Sequence, residues 1–274
     1  MYLLSPLHPY IASALVLNYR SPRETVGCVR ALLAQTIADQ LEVLIIDNYS
    51  DDDSIGIIRN TFSQEPKVRM IEKPLNTGYG AGNNKGENYA TGKYLLIINP
   101  DNKLEPDGLE KMIHAMEADE TIGILAPKLV HEDGSIRESA RSFPTVWGVF
   151  IKRTLLRHFF RDSVERYLHS KEDPTKTRDV DWVVGACFLM RRTLFKELQG
   201  FDERFFLFFE DADLCRRIWQ TGKRVVYFPH VQATDRKLRL SQGGFVTIFT
   251  KWTVREHLKS AARYFWKWRR SFVR

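Results

Sequence analysis

Two groups of acidic side chains lie where they could do chemistry. The first is Asp101, in the segment Asn99-Pro100-Asp101-Asn102, which directly follows the apolar run YLLII. A carboxylate at the end of a strand can hold Mg²⁺ or Mn²⁺, hard cations that take oxygen ligands and bridge to phosphates. Asn-Pro-Asp-Asn is also strong turn chemistry, so a simple turn is the alternative interpretation of Asp101.

The second group comprises Glu210, Asp211 and Asp213, at the start of a helix that Gly222 is predicted to end. One of these carboxylates could accept a proton from an attacking hydroxyl, as a general base does. The preceding aromatic run FFLFF would bury one side of the group and raise a carboxylate pKa towards neutrality. Acidic side chains also stabilise a helix N-terminus, so capping alone is the alternative.

A third candidate is the glycine-dense segment NTGYGAGNNKG at residues 76–86, which precedes a predicted helix. Backbone N–H groups at such a helix start could cradle a diphosphate. The segment follows the third predicted strand, and its spacing is not that of a dinucleotide-binding fingerprint. A tight turn that needs glycine is the alternative.

The elements that must position these groups alternate between strand and helix in the first half. Strands are predicted over residues 12–19, 41–48, 68–74 and 93–101. This order implies a parallel sheet covered by helices on both faces. Ligands of such sheets bind beyond the carboxyl ends of the strands. The polar residues that follow these strands are therefore expected at one rim: Asn18, Tyr19, Asp47, Asn48, Asn76 and 99–102.

The second half is less regular. Further strands are predicted over 122–130, 179–192 and 223–229, and residues 143–178 are predicted to form a loop with one helical segment. The whole chain, with 274 residues, 43% hydrophobic and 27% charged, suits one large α/β domain or a domain with a small appendage.

Several functional classes are disfavoured by composition. The longest apolar runs are too short to span a membrane, and the first residues lack the basic region of a signal peptide. Three distant cysteines, Cys28, Cys187 and Cys215, favour a reducing compartment and argue against a zinc site. We therefore expect a cytoplasmic protein, which could associate with the inner face of the cell membrane.

The basic charge is confined to one end of the chain. Residues 251–274 contain eight basic side chains and one acidic side chain, which equals the whole net charge of +7. A helix here would carry an apolar stripe of Val254, Leu258, Ala261, Ala262 and Phe265. Its basic stripe would be Arg255, Lys259, Arg263 and Lys267, and its interfacial residues Trp252, Trp266 and Trp268. Such a helix fits an anionic membrane surface, or a helix docked on the body with a solvated basic face.

Taken together, the motifs resemble inverting glycosyltransferases of family 2 with the GT-A fold, and within them the bacterial rhamnosyltransferase-like branch. The resemblance rests on VLNY, IIDNYSDDDS, NTGYGAGNNKG, LLIINPDN, APKL, DGSIRESARSFPT, VDWVVGACFLMRR, GFDERFFLFFEDADLCRR and HLKSAARYF, in order over residues 12–265. It implies an α/β, Rossmann-like, mostly parallel central sheet flanked by helices. The predicted domains are 1–250, with a nucleotide-sugar half (12–120) and an acceptor half (121–250), and a basic amphipathic C-terminal helix (251–274).

The resemblance also implies roles for individual residues. Asp211 would be the catalytic base, with Glu210 next in line. The donor site would comprise Asn18, Asp47, Asn48, Gly78, Gly80, Asn84, Arg239 and Ser241. The region between donor and acceptor would be shaped by Trp182, Gly185 and Ala186.

Metal binding is implied at Asp101, the aspartate of the family's DXD-type motif, whose first acid is here Asn99. The branch often has a histidine six residues after a proline like Pro229, and this chain has Asp235 there. Asp235 would be an oxygen ligand for Mg²⁺ or Mn²⁺. His230, directly after the proline, is interpreted as structural.

The predicted function is inverting transfer of a sugar, with L-rhamnose from dTDP-L-rhamnose favoured. The acceptor would be a hydroxyl of a glycan or polyprenyl-diphosphate-linked precursor. A nucleotide-sugar pyrophosphorylase is a disfavoured alternative, because it would require a Gly-rich basic loop after the first strand, where this chain has NYRSPRE. A non-catalytic nucleotide-sugar or polyanion-binding protein on the same fold is the other alternative, and no nucleic acid partner is expected.

Overall fold

The structure is a computed structural model that describes residues 10–146, 172–236 and 252–269. Strand and helix alternate in the first half, as predicted. The elements there are β1 (Ala12–Asn18), α1 (Pro22–Leu33), β2 (Leu41–Asp47), α2 (Ser54–Thr61), β3 (Val68–Glu72), α3 (Tyr79–Glu87), β4 (Tyr94–Ile98), β5 (Lys103–Leu104) and α4 (Gly108–Ala118).

The second half begins with a long strand and ends with a helix. Its elements are β6 (Ile122–His131), β7 (Ile136–Arg137), β8 (Ala140–Arg141), β9 (Arg178–Asp179), β10 (Trp182–Val183), β11 (Cys187–Arg191), α5 (Arg192–Glu197), α6 (Glu210–Gln220), β12 (Arg224–Asp235) and α7 (Trp252–Trp268). The prediction of one strand over 179–192 was wrong. The backbone turns sharply at 184–186, where the Ala186 N–H donates to the Val184 carbonyl at 2.7 Å.

Among the residues that the structure describes, ten strands form one mixed sheet. Its main path runs β3-β2-β1-β4-β11-β6-β12-β5, with β7 beside β6 and β9 beside β12. The first four strands are parallel neighbours, and so are β6 and β12. Strand β11 lies antiparallel between β4 and β6, so the two parallel blocks meet at it. The carboxyl ends of β1, β2 and β4 therefore lie at one rim, as predicted.

Successive residues of a strand point to opposite faces of the sheet. Because the residues on both faces are apolar here, helices cover both faces. On β1, Ala14 and Val16 face a core shared with α1 and α4, whereas Leu15 and Leu17 face the core that includes residues of α6 and α7. All four side chains are buried. The apolar run of β1 thus serves two cores, which explains why it shows no alternation of apolar and polar residues.

Helix α7 docks on the body through one face. Val254, Ala261, Tyr264 and Trp268 are buried, while Leu258 is 37% exposed. The predicted apolar stripe was therefore partly wrong: Leu258 and Ala262 point outwards, and Tyr264 and Trp268 point inwards. Trp268 was predicted at a lipid interface, but a buried hydrogen bond to Asp213 holds it against α6.

Within the described ranges, no helix combines the length and the apolarity that crossing a membrane requires. The basic helix is instead a packed part of this sheet-and-helix body, and the division at residue 250 stays a prediction.

Candidate active site

Asn18 and Asp47 lie side by side at the carboxyl ends of β1 and β2. Asn18 Nδ2 donates to Asp47 Oδ1 at 2.7 Å, and Thr25 Oγ1 donates to Asn18 Oδ1 at 2.8 Å. The other Asp47 oxygen accepts from the Ser50 N–H at 2.8 Å. Because Asn18 and Asp47 are fully buried, these bonds hold together the loops above the rim. Contact of either side chain with a nucleotide stays a prediction.

Asn48 organises the start of the glycine-dense segment. Its Nδ2 donates to Asn76 Oδ1 at 2.8 Å and to the Gly78 carbonyl at 3.2 Å. Gly78 has φ +91°, and a Cβ there would collide with the backbone carbonyl of Phe206. The Tyr79 N–H donates to that same carbonyl at 2.8 Å. Glycine at position 78 is therefore required both by backbone conformation and by close approach.

The remaining glycines of the segment mainly permit close packing of α3. A Cβ on Gly82 or Gly86 would collide with Leu17 or Ile46 of the sheet, and one on Gly80 would meet Phe201. Asn84 accepts from the Phe201 N–H at 2.8 Å and donates to its carbonyl at 2.9 Å. Helix α3 thus sits tightly on the sheet, and its predicted role in donor binding stays a prediction for Gly80 and Asn84.

The Asp101 loop follows β4 and forms the predicted turn, in which the Asn102 N–H donates to the Asn99 carbonyl at 3.0 Å. Asn102 Nδ2 bridges two carboxylates, donating to Asp101 Oδ1 and to Asp235 Oδ1 at 3.1 Å each. Burial raises the pKa of the Asp101 carboxyl, and the nearby Asp235 raises it further. The two predicted metal ligands are therefore neighbours.

Asp235 is 1% exposed and already has a cationic partner, because Arg137 Nη1 forms an ion pair with its Oδ1. His131 Nδ1 lies 3.6 Å from Asp235 Oδ2. Asp235 Oδ2 and Asn102 Oδ1 are buried and have no hydrogen-bond partner. Together with the partly exposed Asp101 carboxylate, these oxygens fit the ligand preference of Mg²⁺ or Mn²⁺.

Across the described part of the chain, however, no three His, Cys, Asp or Glu side chains are grouped to hold a metal ion. A cation bound beside Asp101 would therefore take further ligands from substrate oxygens or water, which is usual for Mg²⁺.

Glu210 and Asp211 open α6 and differ in their surroundings. Glu210 is 5% exposed, and its Oε2 has no hydrogen-bond partner. Burial raises the pKa of Glu210 well above its usual value, and Asp211 adds to the shift. Asp211 is partly exposed, and its Oδ2 and Oδ1 accept from the N–H groups of Gly185 at 2.9 Å and Ala212 at 2.7 Å.

The pKa of Asp211 is also raised by burial, although the Gly185 and Ala212 N–H groups and the charge of Arg141 oppose the shift. A partly exposed carboxylate with a raised pKa and a fixed orientation meets the requirements of a general base. The hydrogen bond to Ala212 also helps satisfy the helix N-terminus, so capping and proton acceptance are compatible.

Residues 184–186 connect the two carboxylate loops. The Gly185 N–H contacts Asp211, and the Ala186 carbonyl accepts from the Asn99 N–H at 2.7 Å. The Tyr79 hydroxyl donates to the Gly185 carbonyl, so α3 joins the same segment. The loops that carry Asp101 and Asp211, 110 positions apart in the chain, therefore both contact residues 184–186.

Trp182 and Ala186 are the other residues that were predicted to shape the region between donor and acceptor. Trp182 is buried, and its indole N–H donates to the Ser142 carbonyl at 2.7 Å. The Arg141 guanidinium lies 5.2 Å from the Trp182 ring centroid, and Ala186 is fully buried. Contact of these side chains with an acceptor stays a prediction, and Arg239 and Ser241 lie outside the described residues.

Sequence reasoning assigned no role to Tyr79, Arg137 and Arg141, and it placed Asn102 at the rim without predicting its two carboxylate partners. All four lie inside the quoted motifs. However, the partners of Asn102, Arg137 and Tyr79 lie 133, 98 and 106 positions away in the chain, respectively. A motif shows that a residue is present, whereas the fold decides which distant group it contacts.

Comparison with known proteins agrees with this geometry. The family described as glycosyl transferase family 2 matches residues 13–199. The chain is 29% identical over 210 residues to N-acetylglucosaminyl-diphospho-decaprenol L-rhamnosyltransferase of Mycobacterium tuberculosis, covering 72% of this chain and 67% of that protein. It is 28% identical over 195 residues to rhamnosyltransferase WbbL of Escherichia coli strain K12, covering 68% and 69%.

Among solved structures, the chain resembles the mannosyltransferase PcManGT from Pyrobaculum calidifontis in complex with GDP-Man and Mn²⁺. The TM-score is 0.61 at 19% identity, over 95% of this chain and 68% of that one. At this identity the similarity concerns the fold, and it confirms the predicted GT-A architecture.

Proposed function

Because the chain belongs to glycosyl transferase family 2, we propose that it is an inverting, metal-dependent enzyme that transfers L-rhamnose from dTDP-L-rhamnose to an acceptor hydroxyl. One observation supports the catalytic proposal above others: the loops of Asp101 and Asp211 both contact residues 184–186. This arrangement brings a candidate cation ligand and a candidate base to the same rim of the sheet.

In the proposed reaction, the acceptor oxygen attacks the anomeric carbon from the face opposite the nucleoside diphosphate. The new carbon–oxygen bond forms as the bond to the diphosphate oxygen breaks, and the electron pair leaves with the diphosphate. Asp211 takes the hydroxyl proton, and a single displacement inverts the anomeric centre. The Gly185 and Ala212 N–H groups each bind one Asp211 oxygen and so orient the carboxylate, and each oxygen keeps a second lone pair that can accept the proton.

A divalent cation, Mg²⁺ or Mn²⁺, would be held by Asp101, with Asp235 as the second candidate ligand, and would offset negative charge on the leaving diphosphate. Arg137 stabilises the buried Asp235 carboxylate. Asn102 keeps Asp101 and Asp235 adjacent through its bridging amide.

For the acceptor we propose a polyprenyl-diphosphate-linked or cell-surface glycan precursor. The proposal draws on the M. tuberculosis relative, whose name specifies an N-acetylglucosaminyl-diphospho-decaprenol acceptor. The outward face of α7 adds support: Trp252 is 47%, Leu258 37% and Trp266 71% exposed. Basic side chains flank them: Arg255, Lys259 and Arg263. This face fits an anionic membrane surface at which a lipid-linked acceptor would reside.

A thermal-shift screen tests the donor. We expect dTDP-L-rhamnose with Mn²⁺ to raise the melting temperature, because a ligand that binds only the folded state stabilises it. UDP-N-acetylglucosamine and GDP-mannose serve as matched alternatives, and a larger shift with either would replace the proposed donor.

A transfer assay tests the chemistry. The donor and a short-chain prenyl-diphosphate N-acetylglucosamine should give a product whose new linkage has the inverted anomeric configuration by NMR. Retention would contradict direct displacement by the acceptor. Donor binding without any transfer would favour the non-catalytic alternative.

A further inference from the structure

Helix α7 contacts the backbone of residues 202–209, the segment that leads into Glu210 and Asp211. Ser260 Oγ donates to the Leu207 carbonyl at 2.9 Å, and Arg263 Nη1 donates to the Arg204 carbonyl at 2.6 Å. These bonds reach a stretch with no regular secondary structure of its own. The path of residues 202–209 therefore depends on α7.

That stretch ends in an unfavourable backbone conformation. Phe208 and Phe209 both have φ +70°, a left-handed region that bulky side chains rarely adopt. Both rings pack on His257 of α7 with centroids 5.1 Å apart, and the Phe209 ring lies 5.3 Å from that of Tyr264. Such conformations persist only where surrounding contacts enforce them, and here α7 supplies several of those contacts.

A buried carboxylate ties α7 directly to the first turn of α6. Asp213 is fully buried and accepts from Lys267 Nζ at 2.6 Å and from Trp268 Nε1 at 2.9 Å. Its other oxygen accepts from Arg217 Nε at 2.8 Å. Asp213 is two residues beyond Asp211 on α6, so their side chains leave the helix in different directions. One turn of helix is thus held by α7 on one side and by Gly185 on the other.

We propose that α7 is a positioning element for the catalytic base, and that Lys267 and Trp268 act through Asp213 to keep Asp211 on the Gly185 N–H. This inference rests on the proposed function of Asp211. It assigns the two faces of α7 different tasks: the inward face orients the base, and the outward face remains free for a surface.

The test compares the full-length protein with Lys267→Met and Trp268→Phe, which remove the two α7 donors to Asp213. Lys267→Arg retains the positive charge. The control is Lys93→Met, which removes a lysine that pairs with Glu117 at the amino end of β4, away from the Asp101 loop. The assay uses dTDP-L-rhamnose and a short-chain prenyl-diphosphate N-acetylglucosamine in detergent.

We expect kcat to fall about 10- to 100-fold in Lys267→Met and Trp268→Phe, because small misplacements of a catalytic group cost that much. The KM values for donor and acceptor should change less than about twofold, and Lys267→Arg should recover most of kcat. A purely structural role would lower the amount of folded protein and leave kcat per folded molecule unchanged. That outcome, or a loss no larger than in Lys93→Met, would overturn the proposal. Should Trp268→Phe fail to fold, the Lys267 variants decide alone.

Absence of turnover in the wild type would contradict the proposed function instead. In that case, amide hydrogen exchange of residues 205–213 tests independently whether α7 holds this segment in place. Faster exchange there in Lys267→Met than in Lys93→Met supports it, and equal exchange in the two variants rejects it.

Discussion

The backbone N–H of Gly185 donates a 2.9 Å hydrogen bond to Asp211 Oδ2, which joins the start of α6 to the turn before β11. Because the Ala186 carbonyl receives the Asn99 N–H, the same turn also anchors the Asp101 loop. The contacts around these residues determine how individual substitutions should act.

Replacing Asp211 by asparagine should abolish most turnover while keeping the fold. The asparagine side chain would retain an oxygen for the Gly185 N–H but could not accept a proton, so kcat should fall by about 10²- to 10⁴-fold. Steady-state kinetics measures this, with donor affinity expected to stay close to that of the wild type. The control is Asp39→Asn, which affects only an exposed ion pair with Lys67. Turnover by Asp211→Asn equal to that of the control would exclude Asp211 as the base.

The two metal candidates should separate in their effects. Asp235→Ala leaves Arg137, whose side chain is 17% exposed, without its anionic partner and should lower the free energy of unfolding by about 3–5 kcal/mol. Asp101→Ala should cost less stability but should eliminate the rise in melting temperature that Mn²⁺ with donor produces. Urea unfolding and thermal shift measure the two quantities. If Mn²⁺ with donor still raised the melting temperature of Asp101→Ala, the cation would have to bind at another place.

Two glycine-to-alanine substitutions should act in opposite directions. Gly78 has φ +91° and no room for a Cβ, so Gly78→Ala should destabilise the protein by more than about 2 kcal/mol. Gly56, inside α2, has nothing within 4 Å of the position that an added methyl group would occupy, so Gly56→Ala should stabilise by roughly 0.5–1 kcal/mol. Denaturant melts of both variants provide the comparison, and a stable Gly78→Ala protein would show that the loop is not held as described.

Stability should fall as the pH rises, owing to Glu210. Its pKa is raised in the folded protein by burial and by Asp211, so the folded state binds a proton more tightly than the unfolded state. The destabilisation is absent below the unfolded pKa of about 4.3 and grows as the pH rises towards the folded pKa. Glu210→Gln should therefore raise the melting temperature more at pH 7.5 than at pH 4.5. An equal change at both pH values would contradict a raised pKa.

Binding of α7 to membranes should depend on its outward basic face. Arg255→Gln with Lys259→Gln removes two exposed charges, each worth about 1 kcal/mol at an anionic surface, so partitioning should drop roughly 30-fold. Co-sedimentation with phosphatidylglycerol vesicles measures this, and phosphatidylcholine vesicles serve as the uncharged control. Equal partitioning of variant and wild type would reject the membrane surface.

The sequence alone determined the alternation of strand and helix in the first half and the meeting of Asn18, Asp47 and the Asp101 loop at one rim. Both follow from local rules: apolar runs of strand length, and the common direction of parallel strands. The family was also accessible, because its motifs occur in order along the chain. These features need no knowledge of which distant residues touch.

Only the tertiary structure decided which side chains are partners. The break at Gly185, the Arg137–Asp235 ion pair and the inward face of α7 all depend on contacts between residues far apart in the chain. Amphipathic spacing placed Trp268 at a lipid interface, but a buried carboxylate on α6 gave its indole N–H a better partner than a lipid surface. The partner of a given side chain is set by packing across the whole fold, and the local pattern of residues does not specify it.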